Sequence, residues 1–422
     1  MTKASFFMRR PMKLKIFILA LALASLTIAS ASPILAGYYP DWGKWETPKY
    51  PVDKVPYSKF THVFWSFISP NADGSLRGDA ADDPSELDEM VKLAHEAGTK
   101  VILSLGGAGL CENFATVAGD DALRTKFVAN LVEYAQVHNL DGLDMDWEYS
   151  EVPVPEADTI AYNKLLRDLR EALPKEKSLS AALPCSPYYG KYFTVSVLVE
   201  TLDWLGFMTY DITGDWDDKA RFDSPLYPNT GSDYTTWSWK ETAEHWEKLG
   251  VPANKMVFGV PFFGFQFEGT NAPGTAFNGK ATYMDYKEIL RIEGQQFAFD
   301  SVSMEPYAFT ETTFTTFETP QSVAIKAGWI LENKYAGAMI WDISQDVMDD
   351  YKQPLLDSLY AILLKQDSGN PQGINVRNAR YEKAKHTGAT AKRAHPAYIY
   401  DALGHGFLRN GARKIYFEKA TK

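Results

Sequence analysis

Between residues 35 and 365 the chain repeats one pattern, a short run of β-branched and aromatic residues followed by a stretch with apolar residues at helical spacing. Eight such runs stand out, at 35–39, 61–68, 100–105, 142–147, 178–183, 202–208, 256–263 and 337–343. Runs of this kind read as strands, and the stretches between them as helices. Strands that are apolar on both faces and separated by helices are parallel, because a parallel pair needs a crossover and the crossover helices cover the sheet. Eight strand–helix units predict an α/β fold, a (β/α)₈ or TIM barrel. A chain of 422 residues accommodates that as one large domain.

The helices are marked unevenly. Ser85-Glu86-Leu87-Asp88 has a capping pattern that predicts a helix opening on Ser85 and ending at Gly98. Residues 121–138 carry Leu123, Phe127, Leu131, Tyr134 and Ala135 on one helical face. Further helices are expected at 157–173, 237–249, 321–333 and 354–364, and eight of each element requires one or two helices to be short. The interval 268–336 is longer than a crossover needs. It predicts a small α+β-like insertion between strands seven and eight, with a strand pair around 298–314 forming a wall beside the barrel mouth.

The ends differ from the middle. Lys3, Arg9, Arg10, Lys13 and Lys15 precede an apolar stretch at 16–28 and the small-x-small sequence Ala29-Ser30-Ala31. This is the pattern of a secretory signal peptide, and the apolar stretch is short of the ~20 residues a membrane span needs. Residues 1–31 are therefore expected to be cleaved and the protein secreted to the extracellular space, with no stable membrane insertion. After a turn-rich linker at 366–373 the chain becomes basic and poor in periodic apolar residues, so 366–422 is expected to be a mostly disordered tail. The barrel domain is then 32–365. It carries 27 Lys and Arg against 50 Asp and Glu, an excess that repels nucleic acid and anionic membranes. A neutral or weakly cationic substrate fits it, and a monomer is expected. Cys111 and Cys185 are the only cysteines, and two free thiols are preferred over a disulfide. No Cys/His spacing suggests a zinc site, and neither metal nor cofactor is called for.

The most informative segment is Asp141-Gly142-Leu143-Asp144-Met145-Asp146-Trp147-Glu148. Side chains alternate along a strand, so Asp144, Asp146 and Glu148 share one face and Leu143, Met145 and Trp147 the other. A solvated edge strand would explain scattered acids, but the flanking residues are apolar. Burying three carboxyls together costs several kcal/mol unless they share protons and hydrogen bonds. The cluster must hold at least one proton near neutral pH, which is how a Glu is kept ready to act as a general acid. Glu148 ends the strand, and in such a barrel that end is the active-site face.

The string D-G-x-D-x-D-W-E resembles the signature of family 18 glycoside hydrolases, the chitinases and their relatives. Ser104-Leu105-Gly106-Gly107 resembles the family's S-x-G-G, and Met208-Thr209-Tyr210-Asp211 its M-T-Y-D. Tyr38 on the first strand, Trp341 at the end of the eighth and Trp216 after Tyr210 fall in matching places. The resemblance implies a secreted enzyme that binds chitin or chitooligosaccharides, with Glu148 as the acid and Asp146, Asp144 and Tyr210 in support. Tyr38, Gly107, Met208, Asp211, Trp216 and Trp341 would line the substrate site. Two positions depart from the pattern: Phe263-Gly264-Phe265 stands where many relatives have Y-G-R, and Ala108 where many have Trp. Two alternatives share the barrel, a non-catalytic chitin-binding lectin and an endo-β-N-acetylglucosaminidase. Lectin relatives usually lose the acid or one aspartate, and the glycosidases tend to replace the residue that is Trp147 here.

Overall fold

Period-two alternation decides where each strand's side chains go. Leu35 and Tyr39, Val63 and Trp65, Val101, Leu103 and Leu105, and Leu143 and Met145 all belong to one large apolar core between strands and helices. The intervening Ala36, Tyr38, Phe64, Ile102 and Met339 form a second, smaller cluster on the opposite face of the strands. In a computed structural model, residues 32–150, 152–229 and 237–365 are described, together with the backbone of 398–400, 406–410 and 413–416.

Eight parallel strands close a barrel: β1 (Ile34–Pro40), β2 (His62–Pro70), β3 (Lys100–Gly106), β4 (Gly142–Asp146), β5 (Ser178–Pro184), β6 (Trp204–Met208), β7 (Met256–Pro261) and β13 (Gly337–Trp341). Their order is β1-β13-β7-β6-β5-β4-β3-β2, and β2 pairs back onto β1. The predicted (β/α)₈ architecture is what the chain forms. Among the described residues, seven helices of seven residues or more cover it: α1 (Ser85–Glu96), α2 (Asp121–Val137), α3 (Glu156–Ala172), α4 (Val195–Thr201), α5 (Trp239–Lys248), α6 (Pro320–Asn333) and α7 (Pro354–Leu363). The connection from β1 to β2 has only single 3₁₀ turns. None of the helices among the described residues is long and apolar enough to cross a membrane.

Helix α1 opens on Ser85 as expected, but the Ser85 side chain does not cap it. Ser85 is its first residue, Pro84 holds the cap position, and the Asp83 carboxylate accepts the Ser85 backbone N–H at 3.1 Å. Proline's fixed φ suits the helix entrance, which displaces the capping role one step upstream.

The insertion is larger than a strand pair. β8 (Phe263–Glu268), β9 (Ala281–Asp285), β10 (Gln296–Asp300), β11 (Glu305–Phe309) and β12 (Thr313–Phe317) form an antiparallel sheet in the order β9-β8-β12-β11-β10. It begins at Phe263, a residue that the sequence pattern assigns to the barrel. Its Phe263, Phe265, Phe267 and Phe314 pack with Tyr210 and Phe222, so the wall rests directly on the turn after β6. Both cysteines are free thiols. Residues 1–31 and most of 366–422 lie outside the described residues; within the latter, β14 (Tyr398–Tyr400), β15 (Gly406–Asn410) and β16 (Arg413–Tyr416) form a three-stranded antiparallel sheet.

Candidate active site

Strand register assembles the acids. Asp144 on β4 lies opposite Ser104 on β3 and Ser180 on β5. Both hydroxyls donate to it, Ser104 Oγ to Oδ2 at 2.9 Å and Ser180 Oγ to Oδ1 at 2.6 Å, and Tyr38 donates to Oδ2 at 2.9 Å. These three donors favour the carboxylate, yet burial outweighs them and its pKa is raised. Asp146, two residues on, is also buried, and its Oδ1 has no hydrogen-bond partner among the described residues. Burial first, then the charges of Glu148 and Asp144, raise its pKa well above the usual range.

Glu148 is half-buried just beyond the end of β4. Burial, with help from the Asp211 charge, pushes its carboxyl up to about 7. Leu143, Met145 and Trp147 point into the main core as the alternation predicts. The Glu148 backbone N–H is held by Cys111 Sγ at 3.4 Å, and that thiol donates to Gly107 O at 3.3 Å. Gly106 and Gly107 have φ of 110° and 87°, a left-handed backbone that favours glycine. A Cβ on Gly107 would stand 2.6 Å from the Phe67 ring. The S-x-G-G segment thereby lets its chain run against Asp146, whose carbonyl accepts the Gly107 N–H at 2.8 Å.

Across the mouth, Tyr210 is buried with Asp146, Asp211 and Glu148 as electrostatic neighbours, and desolvation raises its pKa well above the usual value. Asp211 shows surface at the mouth, while its carboxyl is deep enough for desolvation to push it up to about 7. Trp341 ends β13, with Tyr38 and Phe67 rings each 5.6 Å from it between centroids. Met208 is half-buried between the cluster that holds Tyr38 and the aromatic cluster of the insertion. Trp216 stands apart from this group, 63% exposed and edge-on to Phe265 at 6.3 Å.

Some lining residues escaped the sequence reading. Trp42, just after β1, meets Trp341 edge-on at 6.4 Å, and its place at a strand's C-terminal end was the available signal. Trp42, Glu46, Tyr283, Asp285, Trp341 and Gln345 line a cavity of about 180 Å³. Tyr283 comes from the insertion, accepts a hydrogen bond from Gln345 Nε2 at 2.5 Å and stacks on Phe263 at 4.5 Å. The length of 268–336 announced a wall beside the mouth, but no sequence signal singled out Tyr283 within it.

Comparison with known proteins bears on the family and the fold. The chain is 27% identical to "Chitinase 1" of Aphanocladium album, over 83% of this chain and 90% of that protein. It is 32% identical to a "chitinase-like effector" of Moniliophthora roreri, over 59% of this chain and 64% of the other. In fold it resembles the Ostrinia furnacalis Group IV chitinase crystallised with allosamidin, with a TM-score of 0.73 and 24% identity over 79% of this chain and 99% of that one. Residues 34–346 match the model of glycosyl hydrolases family 18, and the chain belongs to that family of glycoside hydrolases.

Proposed function

We propose that the protein is a secreted chitinase that hydrolyses the β-1,4 linkages of N-acetylglucosamine polymers with retention of configuration, the substrate assisting. The observation that carries this is Glu148, raised to about 7, whose charge acts on a buried Asp146 with an Oδ1 that has no hydrogen-bond partner among the described residues, while Trp341 lies edge-on to the Tyr38 that donates to Asp144. A carboxyl at about 7 is protonated in a useful fraction near neutral pH and can give up that proton.

Glu148 donates its proton to the glycosidic oxygen as the bond from that oxygen to the anomeric carbon breaks. The carbonyl oxygen of the sugar's own 2-acetamido group forms the new bond to the anomeric carbon, giving an oxazolinium ion. Family 18 departs in this way from the two-carboxylate scheme. Asp146 orients the acetamido N–H and offsets its developing charge, Asp144 steadies Asp146, and Tyr210 and Asp211 hold the acetamido group. Trp341 supports the distorted ring, and Tyr38, Gly107 and Met208 shape the wall around it. Water then opens the ion and leaves its proton on Glu148. Positioning and electrostatics supply the acceleration. Trp216 would stack on sugars beyond the scissile bond. Residues 1–31 would be removed on export.

Proton NMR of the first products from a chitin hexamer tests the mechanism. β-Anomers should form first, and partly deacetylated chitin should not be cut after a glucosamine unit, because a free amine cannot close the oxazolinium ring. α-Anomers, or cuts made freely after glucosamine, would exclude substrate assistance. A hexamer that is bound but never cleaved would mark the protein as a lectin, and cleavage of an N-glycan core in preference to chitin would mark the endoglycosidase.

A further inference from the structure

Behind the mouth lies a buried charged group that the mechanism above does not use. Lys326 of α6 has no exposed surface, and its ammonium pairs with Glu318 and, at 3.3 Å, with Glu305 of β11. Replacing such a buried ion group by apolar residues is often neutral or stabilising, so stability alone gives little reason to place one here. Its remaining bonds lead toward the site. Lys326 Nζ donates to Ser224 O at 2.5 Å and lies 3.3 Å from Ser224 Oγ.

Ser224 is fully buried, and its hydroxyl is saturated. It accepts from Trp239 Nε1 at 2.9 Å and donates to the carbonyl of Thr209 at 2.6 Å. Thr209 is further fixed by its own Oγ1, which donates to Gly259 O at 2.7 Å, and by its N–H, which donates to Phe207 O at 2.8 Å. The two residues that follow are Tyr210 and Asp211. Asp211 sits at φ 53°, a left-handed conformation that a non-glycine residue keeps only where the surroundings over-determine it. The bonds converging on Thr209 supply that determination at the residue where the turn leaves β6.

We propose that Lys326 and Ser224 are positioning residues of the active site: the ammonium anchors Ser224, Ser224 fixes the Thr209 carbonyl, and this holds Tyr210 and Asp211 where they meet the sugar. The role rests on the chitinase reading above. It also gives the insertion a second duty, since Glu305 comes from it and locks Lys326 in place.

Ser224→Ala is the informative variant, because it deletes one oxygen and leaves the ion group intact. Its kcat on a chitin hexamer should fall roughly tenfold, the scale of a sub-ångström misplacement, with KM nearly unchanged. Lys326→Met should show the same split in whatever fraction folds. The decisive measurement is Ser224→Ala in an Asp211→Asn background. If Ser224 acts through the 209–211 turn, the second substitution should add little further loss there. A Ser224→Ala enzyme with parental kcat, or one whose loss multiplies fully with that of Asp211→Asn, would overturn the proposal. A parent protein that cleaves no chitin hexamer would instead overturn the functional reading, and this role with it.

Discussion

Glu148 shows how much a single environment decides. An exposed glutamate titrates near 4.3 and would be spent as an acid at neutral pH. Burial, with the Asp211 charge second, brings Glu148 to about 7. Glu148→Gln keeps the size and the hydrogen-bonding capacity and removes only the transferable proton. The variant should fold and bind a chitin hexamer as the parent does, with turnover lower by at least about 10²–10⁴-fold. Calorimetric binding alongside product assay checks both halves; retained turnover would assign the acid to another residue. The same shift fixes the sign of the pH dependence. Activity needs protonated Glu148, so kcat should fall as pH rises through about 7. Asp211→Asn removes a like charge, and among the variant's residual turnover that alkaline limb should move to lower pH.

At the scale of elements, the strands were legible because their alternation is strict and their burial two-sided. The acids on β4 were legible for the same reason, since three carboxyls at i, i+2 and i+4 have no packing purpose. What escaped was decided by contacts distant in sequence. Pro261 and Gly264 punctuate the run from Met256 to Phe267, but the apolar Phe262 and Phe263 between them extend the strand pattern, so Phe263 read as barrel. The chain in fact leaves the barrel at Phe262, whose N–H donates to Trp341 O at 2.8 Å and whose carbonyl accepts the Tyr286 N–H at 2.9 Å. Trp42 follows a strand's C-terminal end and Tyr283 lies in the expected wall, but which aromatic of either segment faces the mouth depends on contacts distant in sequence. Composition alone leads to the expectation of a mostly disordered tail, within which the structure places the β14–β16 sheet, its β14 near β10 of the insertion. The barrel closes through β1 pairing with β13 and β2, all within residues 34–341. Truncation after Lys365 should therefore leave hydrolysis of soluble oligomers and the melting temperature nearly unchanged. A large fall in either would mean that residues 366–422 pack on the barrel.

Over the whole molecule, the raised carboxyls act in concert. Burial pushes Asp41, Glu148, Asp211, Asp342 and Asp346 to about 7 and Glu305 to about 8. In the unfolded chain such groups titrate near ~4. Between those limits the folded state binds more protons than the unfolded one, so stability falls as pH rises. Their contribution is fully present below about 4 and is lost through about 7 to 8. Carboxyls shifted the other way, such as Asp83, Glu112 and Asp121, are exposed, and solvent screening leaves them little weight. The excess of acids over bases adds repulsion in the same direction as pH increases. The melting temperature should therefore be several degrees higher at pH 5 than at pH 8 when ionic strength is held constant. Scanning calorimetry of the parent and of Glu148→Gln/Asp211→Asn separates the site from the background. The double variant lacks two of the titrating groups, so its difference between pH 5 and pH 8 should shrink while its melting temperature at pH 8 rises. A parent that is more stable at pH 8 than at pH 5 would mean that these carboxyls are ionised in the folded protein, and the protonated Glu148 on which the acid step depends would be lost with them.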